Sequence, residues 1–293
     1  MLIETIARHI SRATGRPFRP ESRQSVAGGC ISTSEVLHGG GQRYFVKLND
    51  AARLDMFAAE AEGLSEIARS RSVRVPEPVC WGAQADRAYL VLEYLDLGHG
   101  GRQADARLGQ QLALMHRATQ PRHGWVRDNT IGSTPQINTR EDDWTTFYGE
   151  HRLRFQLELA GRNGYAGRLT RRGELLLEKL PGFFAAYAPQ PSLLHGDLWG
   201  GNWSALPDGR PVIFDPAVYY GDRETDLAMT ELFGGFGQDF YSAYQAAWPL
   251  DPGYRARKDL YNLYHVLNHL ILFGGGYGNQ AERLIERLLA EAG

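Results

Sequence analysis

The sequence predicts an α+β chain of two lobes, a sheet-rich N-lobe over residues 1–96 and a mainly helical C-lobe over 97–293. Three observations predict it. Strand-like segments and turn glycines concentrate before Leu97, helical periodicity dominates after it, and Gly98, Gly100 and Gly101 cluster at the junction. A chain of 293 residues is long enough to bury a sizeable core.

Taken in order, residues 2–14 place Leu2, Ile3, Ile6 and Ile10 on one helical stripe. Gly28-Gly29 and Gly39-Gly40-Gly41 bracket the segments SEVLH and QRYFVKL, which read as a β-hairpin preceded by a glycine-bearing loop. From Ala51 to Arg69 the period is helical, and Pro76 and Pro78 close it. Ala88 to Leu95 is an apolar run of strand length. Beyond the junction, helical patterns cover about 103–118, 141–160, 168–187, 222–247, 256–272 and 279–291. Two short apolar runs, SLLHGD and PVIFDP, interrupt them, and each carries an Asp at its end.

Charge narrows the function classes. Thirty-two basic residues face 34 acidic ones, so no basic excess points to nucleic acid. No apolar run approaches the ~18 residues of a membrane span. The N-terminal helix lacks the apolar core of a signal peptide. Two cysteines, Cys30 and Cys80, make no disulfide framework. The expectation is a cytoplasmic protein, monomeric or weakly dimeric, with neither nucleic acid nor membrane as partner. Only three of the basic residues are lysines: Lys47, Lys179 and Lys258.

The strongest motif is His195-Gly196-Asp197-Leu198-Trp199-Gly200-Gly201-Asn202. Asp followed five positions later by Asn matches the phosphotransfer loop H-x-D-x-x-x-x-N. Phosphoryl transfer needs an acceptor for the attacking hydroxyl's proton, which makes Asp197 the candidate base. It also needs hard oxygen ligands for Mg²⁺, which makes Asn202 and Asp215 candidates. Where a protein kinase has Phe-Gly after that second Asp, this chain has Pro216-Ala217, so a Phe-driven switch is not expected.

The upstream half fits the same plan. Lys47 in YFVK resembles the β3 lysine of V-A-I-K and would hold the α/β-phosphates of ATP. Alternation puts Phe45 on its face, positioned to cover the adenine. Glu60, on the next helix, is the expected partner of Lys47, and Glu62 is the rival about 200° round that helix. Gly28, Gly29 and Cys30 fall in the phosphate-covering loop, where a thiol beside backbone amides is a candidate redox-sensitive group. Backbone groups of Glu93 and Leu95 are placed to read the adenine edge. Trp199 lies between Asp197 and Asn202, where a ring either stacks on a sugar face or packs structurally.

With these residues in place, the chain resembles the fructosamine kinase (ketosamine-3-kinase) family, relatives of aminoglycoside phosphotransferases and of protein kinases. Besides the glycine loop, the lysine strand and HGDLWGGN, the resemblance is carried by several longer segments. These are DNTIGSTPQIN with Asp143-Trp144 and His151-Arg152-Leu153, then FDPAVYYGDRETDLAMTELFGGF, and LYHVLNHLILFGGGY. It implies a bilobal protein kinase-like fold with a ketoamine-binding cleft in the C-lobe. It also implies ATP- and Mg²⁺-dependent phosphorylation of the sugar 3-hydroxyl of fructosamines and ribulosamines on amines, peptides or proteins. The 3-phosphate breaks down and frees the amine, a protein deglycation. The family's catalytic Asp falls on Asp197 and its metal ligands on Asn202 and Asp215. Asp226 and His195 match residues that brace the catalytic loop. The alternative is the same fold acting on another hydroxyl, as in aminoglycoside or choline kinases.

Overall fold

The computed structural model describes residues 1–26, 31–98 and 100–292. Its N-terminal part is a five-stranded sheet flanked by two helices. Helix α1 (Leu2–Thr14) leads into β1 (Ser22–Val26), β2 (Thr33–Gly39) and β3 (Gln42–Asp50), then α2 (Leu54–Arg69), β4 (Pro78–Gln84) and β5 (Arg87–Glu93). The sheet order is β1-β2-β3-β5-β4 with every pair antiparallel. The β2–β3 loop is Gly40-Gly41 with φ of 54° and 73°, the double positive φ that a tight hairpin turn requires.

Strand alternation sorts the side chains of this sheet. Val46 and Leu48 of β3 join Tyr89 and Val91 of β5 under α1, in a core with Ile6, Ile10 and Phe18. Ala88, Leu90 and Leu92 face the other way, against Phe57, Leu64 and Ile67 of α2. Phe45 and Lys47 share that second face.

Helix α3 (Arg102–His116) begins the helical part, and the small hairpin β6 (Asn129–Ile131) and β7 (Thr134–Gln136) follows it. Then come α4 (Trp144–Tyr148), a π-helical turn over Gly149–Arg154, α5 (Phe155–Ala160) and α6 (Arg168–Lys179). Four short strands, β8 (Ser192–Leu194), β9 (Trp203–Ala205), β10 (Pro211–Ile213) and β11 (Tyr219–Gly221), form the pairs β8–β11 and β9–β10. Helices α7 (Glu224–Leu232), α8 (Gln238–Ala247), α9 (Tyr254–Phe273) and α10 (Tyr277–Glu291) complete the fold. No helix among the described residues is long and apolar enough to cross a membrane.

Several expectations are corrected. The pattern over 222–247 is two helices, because Gly234 and Gly235 adopt φ of 73° and 95° and break the ladder. The pattern over 168–187 leaves the α-helix at Lys179, just before Pro181, and continues as a 3₁₀ turn. Strands β1 and β4 and the β6–β7 hairpin had no separate sequence signal. Strand β1 is exposed along its whole length, so it carries no apolar alternation to read.

Candidate active site

Lys47 sits inside β3 rather than at its end, and its side chain is almost buried. Its ammonium donates to Glu60 Oε1 at 2.7 Å and to Asp215 Oδ1 at 2.5 Å. Burial alone would lower its pKa, but the carboxylates of Asp215 and Glu60 outweigh that and hold it above the ordinary value. Lys47 therefore stays charged. Glu62, the rival, instead accepts from Arg127 at 2.7 Å.

The catalytic-loop motif follows β8, and its first two amides are clamped. His195 and Gly196 each donate a backbone N–H to a different oxygen of Asp226, both at 2.8 Å. His116 Nε2 donates to the same carboxylate at 3.1 Å. Burial opposes the charge of Asp226, but the hydrogen bonds from the His116 ring and the His195 amide outweigh it, so its pKa lies below the ordinary carboxylate value. Asp226 is thus an ionised clamp from α7.

Burial keeps the His195 ring neutral. Its Nε2 donates to the Phe214 carbonyl at 3.0 Å, which leaves Nδ1 to accept the Asp197 amide at 3.3 Å. The ring ties the loop to the strand end that carries Asp215; it does not point at a reacting group. Gly196 has φ of 82°, and a Cβ there would lie 2.1 Å from the Ala217 carbonyl oxygen, so no other residue fits.

Asn202 Nδ2 donates to the Asp197 carbonyl at 2.9 Å and lies 3.4 Å from its Oδ2. The amide oxygen of Asn202 is left as an acceptor. Asp215 stands in the left-handed region at φ 57°, just after β10. Burial first, then the charges of Asp215 and Asp226, push the Asp197 pKa up to about 7. A carboxylate poised there is matched to general-base work near neutral pH.

These residues face one cleft of about 1060 Å³, lined by Phe45, Lys47, Glu60, Glu93, Leu95, Asp197, Trp199, Asn202 and Asp215 among others. Glu93 spends its own amide on the Glu77 carbonyl at 2.8 Å. Its carboxylate holds Arg74, whose backbone carbonyl accepts the Ile213 amide at 3.0 Å. Arg74 thus links the end of β5 to the strand that leads to Asp215. Trp199 is 41% exposed and its ring lies over Gly201, where a Cβ would come within 2.3 Å of it. Gly28, Gly29 and Cys30, with the redox idea for that thiol, lie outside the described residues.

A Mg²⁺ ion fits the donor set. Asp215 and Asn202 offer hard oxygen donors, and among the described residues no cluster of three or more His, Cys, Asp or Glu makes a complete protein cage. Two protein ligands with the rest from phosphate and water is the usual pattern for Mg²⁺.

The sequence did not single out the apolar wall made by Met56, Pro76, Leu92 and Phe214, nor the aromatic group at the other end of the cleft. In that group the His269 ring lies 4.7 Å from Phe233, 5.5 Å from Phe273 and 5.2 Å from Tyr277, centroid to centroid. The spacing of four from His269 to Phe273 to Tyr277 was a legible signal, but only the packing of α9 against α10 aims it at the cleft.

The family profile for fructosamine kinase matches residues 2–291. A protein of Synechocystis sp. named a probable ketoamine kinase is 50% identical over 98% of this chain and 96% of its own length. The chloroplastic protein-ribulosamine 3-kinase of Arabidopsis thaliana is 43% identical over 90% of this chain and 82% of its own. Among solved structures, one from Haemophilus somnus assigned as a fructosamine-3-kinase superposes with a TM-score of 0.90 at 27% identity, covering 97% of this chain and 96% of that one. An aminoglycoside phosphotransferase, 12% identical with a TM-score of 0.63 over 99% of both chains, shares the protein kinase-like fold. A match along nearly the whole chain, on top of the Lys47–Glu60–Asp215 and Asp197–Asn202 geometry, establishes that the chain belongs to the fructosamine kinase family.

Proposed function

We propose that the protein is an ATP-dependent ketosamine 3-kinase, transferring the γ-phosphoryl group of ATP to the sugar 3-hydroxyl of fructosamines or ribulosamines. The 3-phosphate breaks down and frees the amine, so the outcome on a glycated protein is deglycation. The observation that carries the phosphotransfer is the convergence of Lys47, Glu60, Asp215, Asp197 and Asn202 on one cleft, and the family match supports the ketosamine acceptor. The bonds linking Lys47 to both carboxylates support the phosphotransfer most directly.

Lys47 binds the α/β-phosphates as a compact point charge, held in place by Glu60. Phe45 covers the adenine face, and the Glu93 carbonyl and Leu95 amide read its edge. Asn202 and Asp215 would hold Mg²⁺, which when bound supplies positive charge against the β- and γ-phosphates. Asp197 Oδ2 accepts the proton of the 3-hydroxyl as that oxygen attacks. Trp199 provides the apolar face against the sugar.

Purified protein with Mg-ATP and a ribulosamine or fructosamine should yield a sugar 3-phosphate by phosphorus NMR. The same assay with an aminoglycoside and choline tests the acceptor. Phosphorylation of only those two would overturn the reading.

A further inference from the structure

Arg152 is fully buried in the π-helical turn between α4 and α5. Among the described residues no carboxylate pairs with it. Its charge faces the rings of Tyr219 at 4.1 Å, Phe147 at 4.7 Å and Tyr264 at 5.7 Å. Burying a guanidinium without a counter-ion is expensive, and the ring faces alone do not account for this residue.

Its hydrogen bonds do. Nη1 donates to the Ile137 carbonyl at 2.5 Å and Nη2 to Asn138 Oδ1 at 2.8 Å. Asn138 Nδ2 then donates to Asn129 Oδ1 at 2.9 Å, and Asn129 Nδ2 to the Val218 carbonyl at 2.8 Å. Gln136 Nε2 donates both to Asn129 Oδ1 at 2.9 Å and to the Ala217 carbonyl at 3.0 Å. Residues 217 and 218 follow Asp215 by two and three positions. The Ala217 amide in turn donates to the His195 carbonyl at 2.8 Å, in the loop that carries Asp197.

This chain of amides has a direction. An amide side chain has a donor end and an acceptor end, and a half-turn exchanges them. A guanidinium only donates. It obliges Asn138 to present its oxygen, which aims Nδ2 both at Asn129 Oδ1 and at the Arg127 carbonyl, 3.1 Å away, and Asn129 then turns its own Nδ2 to Val218. We infer that Arg152 is a positioning residue: it sets the polarity of a buried amide relay that ends on the Ala217 and Val218 carbonyls. The relay thereby fixes the Asp215 segment against the Asp197 loop. The inference rests on the kinase reading for its catalytic consequence, but not for its structural one.

Two variants and two readouts test it. Arg152→Met removes the donor-only end. Asn138→Asp gives the guanidinium a charged acceptor, which strengthens the pair, but deletes the donor to Asn129. If the relay positions the catalytic groups, each variant loses about tenfold or more in kcat, since small misplacements of reacting groups are costly. The KM for ATP should stay within about twofold, and Arg152→Lys, which keeps a donor, should recover part of the loss. Hydrogen exchange of amides 195–197, 214, 215, 217 and 218 should accelerate in both variants with the rest unchanged. That readout needs no activity, so it separates failure of the relay from failure of the kinase reading. Unchanged exchange in these amides, or folded variants with wild-type kcat on a ketosamine that the wild type phosphorylates, would overturn the proposal. If Arg152→Met does not fold, Asn138→Asp decides alone.

Discussion

At the residue scale the chemistry depends on how one carboxylate is held. Asp197 is the proposed base, and only its ionised form accepts a proton. With its pKa pushed up to about 7, kcat/KM should rise with pH through an acidic limb centred near 7. A pH–rate profile with that limb below 5 would contradict this. Asp197→Asn should lose roughly 10²–10⁴ in kcat while ATP binding, followed by calorimetry, persists. The same substitution has a signed effect on stability. A carboxylate whose folded pKa is raised favours folding at low pH, and that contribution is lost as pH climbs through about 7. At pH 8 the Asn variant should therefore melt above the wild type, and at pH 5 the difference should shrink. Lys47→Arg should raise the KM for ATP by roughly tenfold or more, the worth of a charge-assisted hydrogen bond, because a planar fork does not replace a point charge between two carboxylates.

At the element scale, the loop that carries Asp197 is held from two sides. Asp226 at the start of α7 clamps the His195 and Gly196 amides, and the segment after β10 closes against Gly196. Gly196→Ala combines a positive φ with a Cβ 2.1 Å from a backbone oxygen. We expect it to destabilise the protein by about 2–4 kcal/mol in urea unfolding and to abolish turnover. Helix α2 meets the same strand system through Glu60, its one residue bonded to Lys47. Helices α7 and α9 are joined beneath by the buried pair of Arg257 and Glu224, at 2.8 and 3.0 Å, so the clamp rests on a rigid base.

At the scale of the whole molecule, the proposed nucleotide contacts come from both the sheet-rich and the helical parts: β3, the end of β5 and the segment after it, the loop that carries Asp197 and the strand end at Asp215. Ligand that binds only the folded state stabilises it by mass action. Mg-ATP at about 100 times its Kd should add roughly 2.7 kcal/mol, or roughly 4 °C in Tm for a chain of this size. Chelation of Mg²⁺, or Asp215→Ala, should remove most of that shift in differential scanning fluorimetry. A shift that survives both would take Asp215 out of the metal site.

The residues alone were enough for the α+β class, the order of the main elements and the candidate phosphotransfer residues. Each of these is written in short range: a 3.6-residue period, an alternating strand, an Asp and an Asn five apart. The sequence also identified Asp226 and His195 as braces through a resemblance, and the bonds from Asp226 to the loop amides show how the bracing works. The sequence favoured Glu60 over its rival Glu62 as the partner of Lys47, and the seating of α2 on the sheet bears that out, turning Glu60 toward Lys47 and Glu62 toward Arg127. The tertiary structure alone split residues 222–247 at Gly234-Gly235, and it alone placed Phe233, His269, Phe273 and Tyr277 along the cleft. The Arg152 relay was least legible of all. Its members lie at 129, 136, 138, 152, 217 and 218, and no local pattern announces a hydrogen-bond chain whose direction exists only once distant segments are packed together.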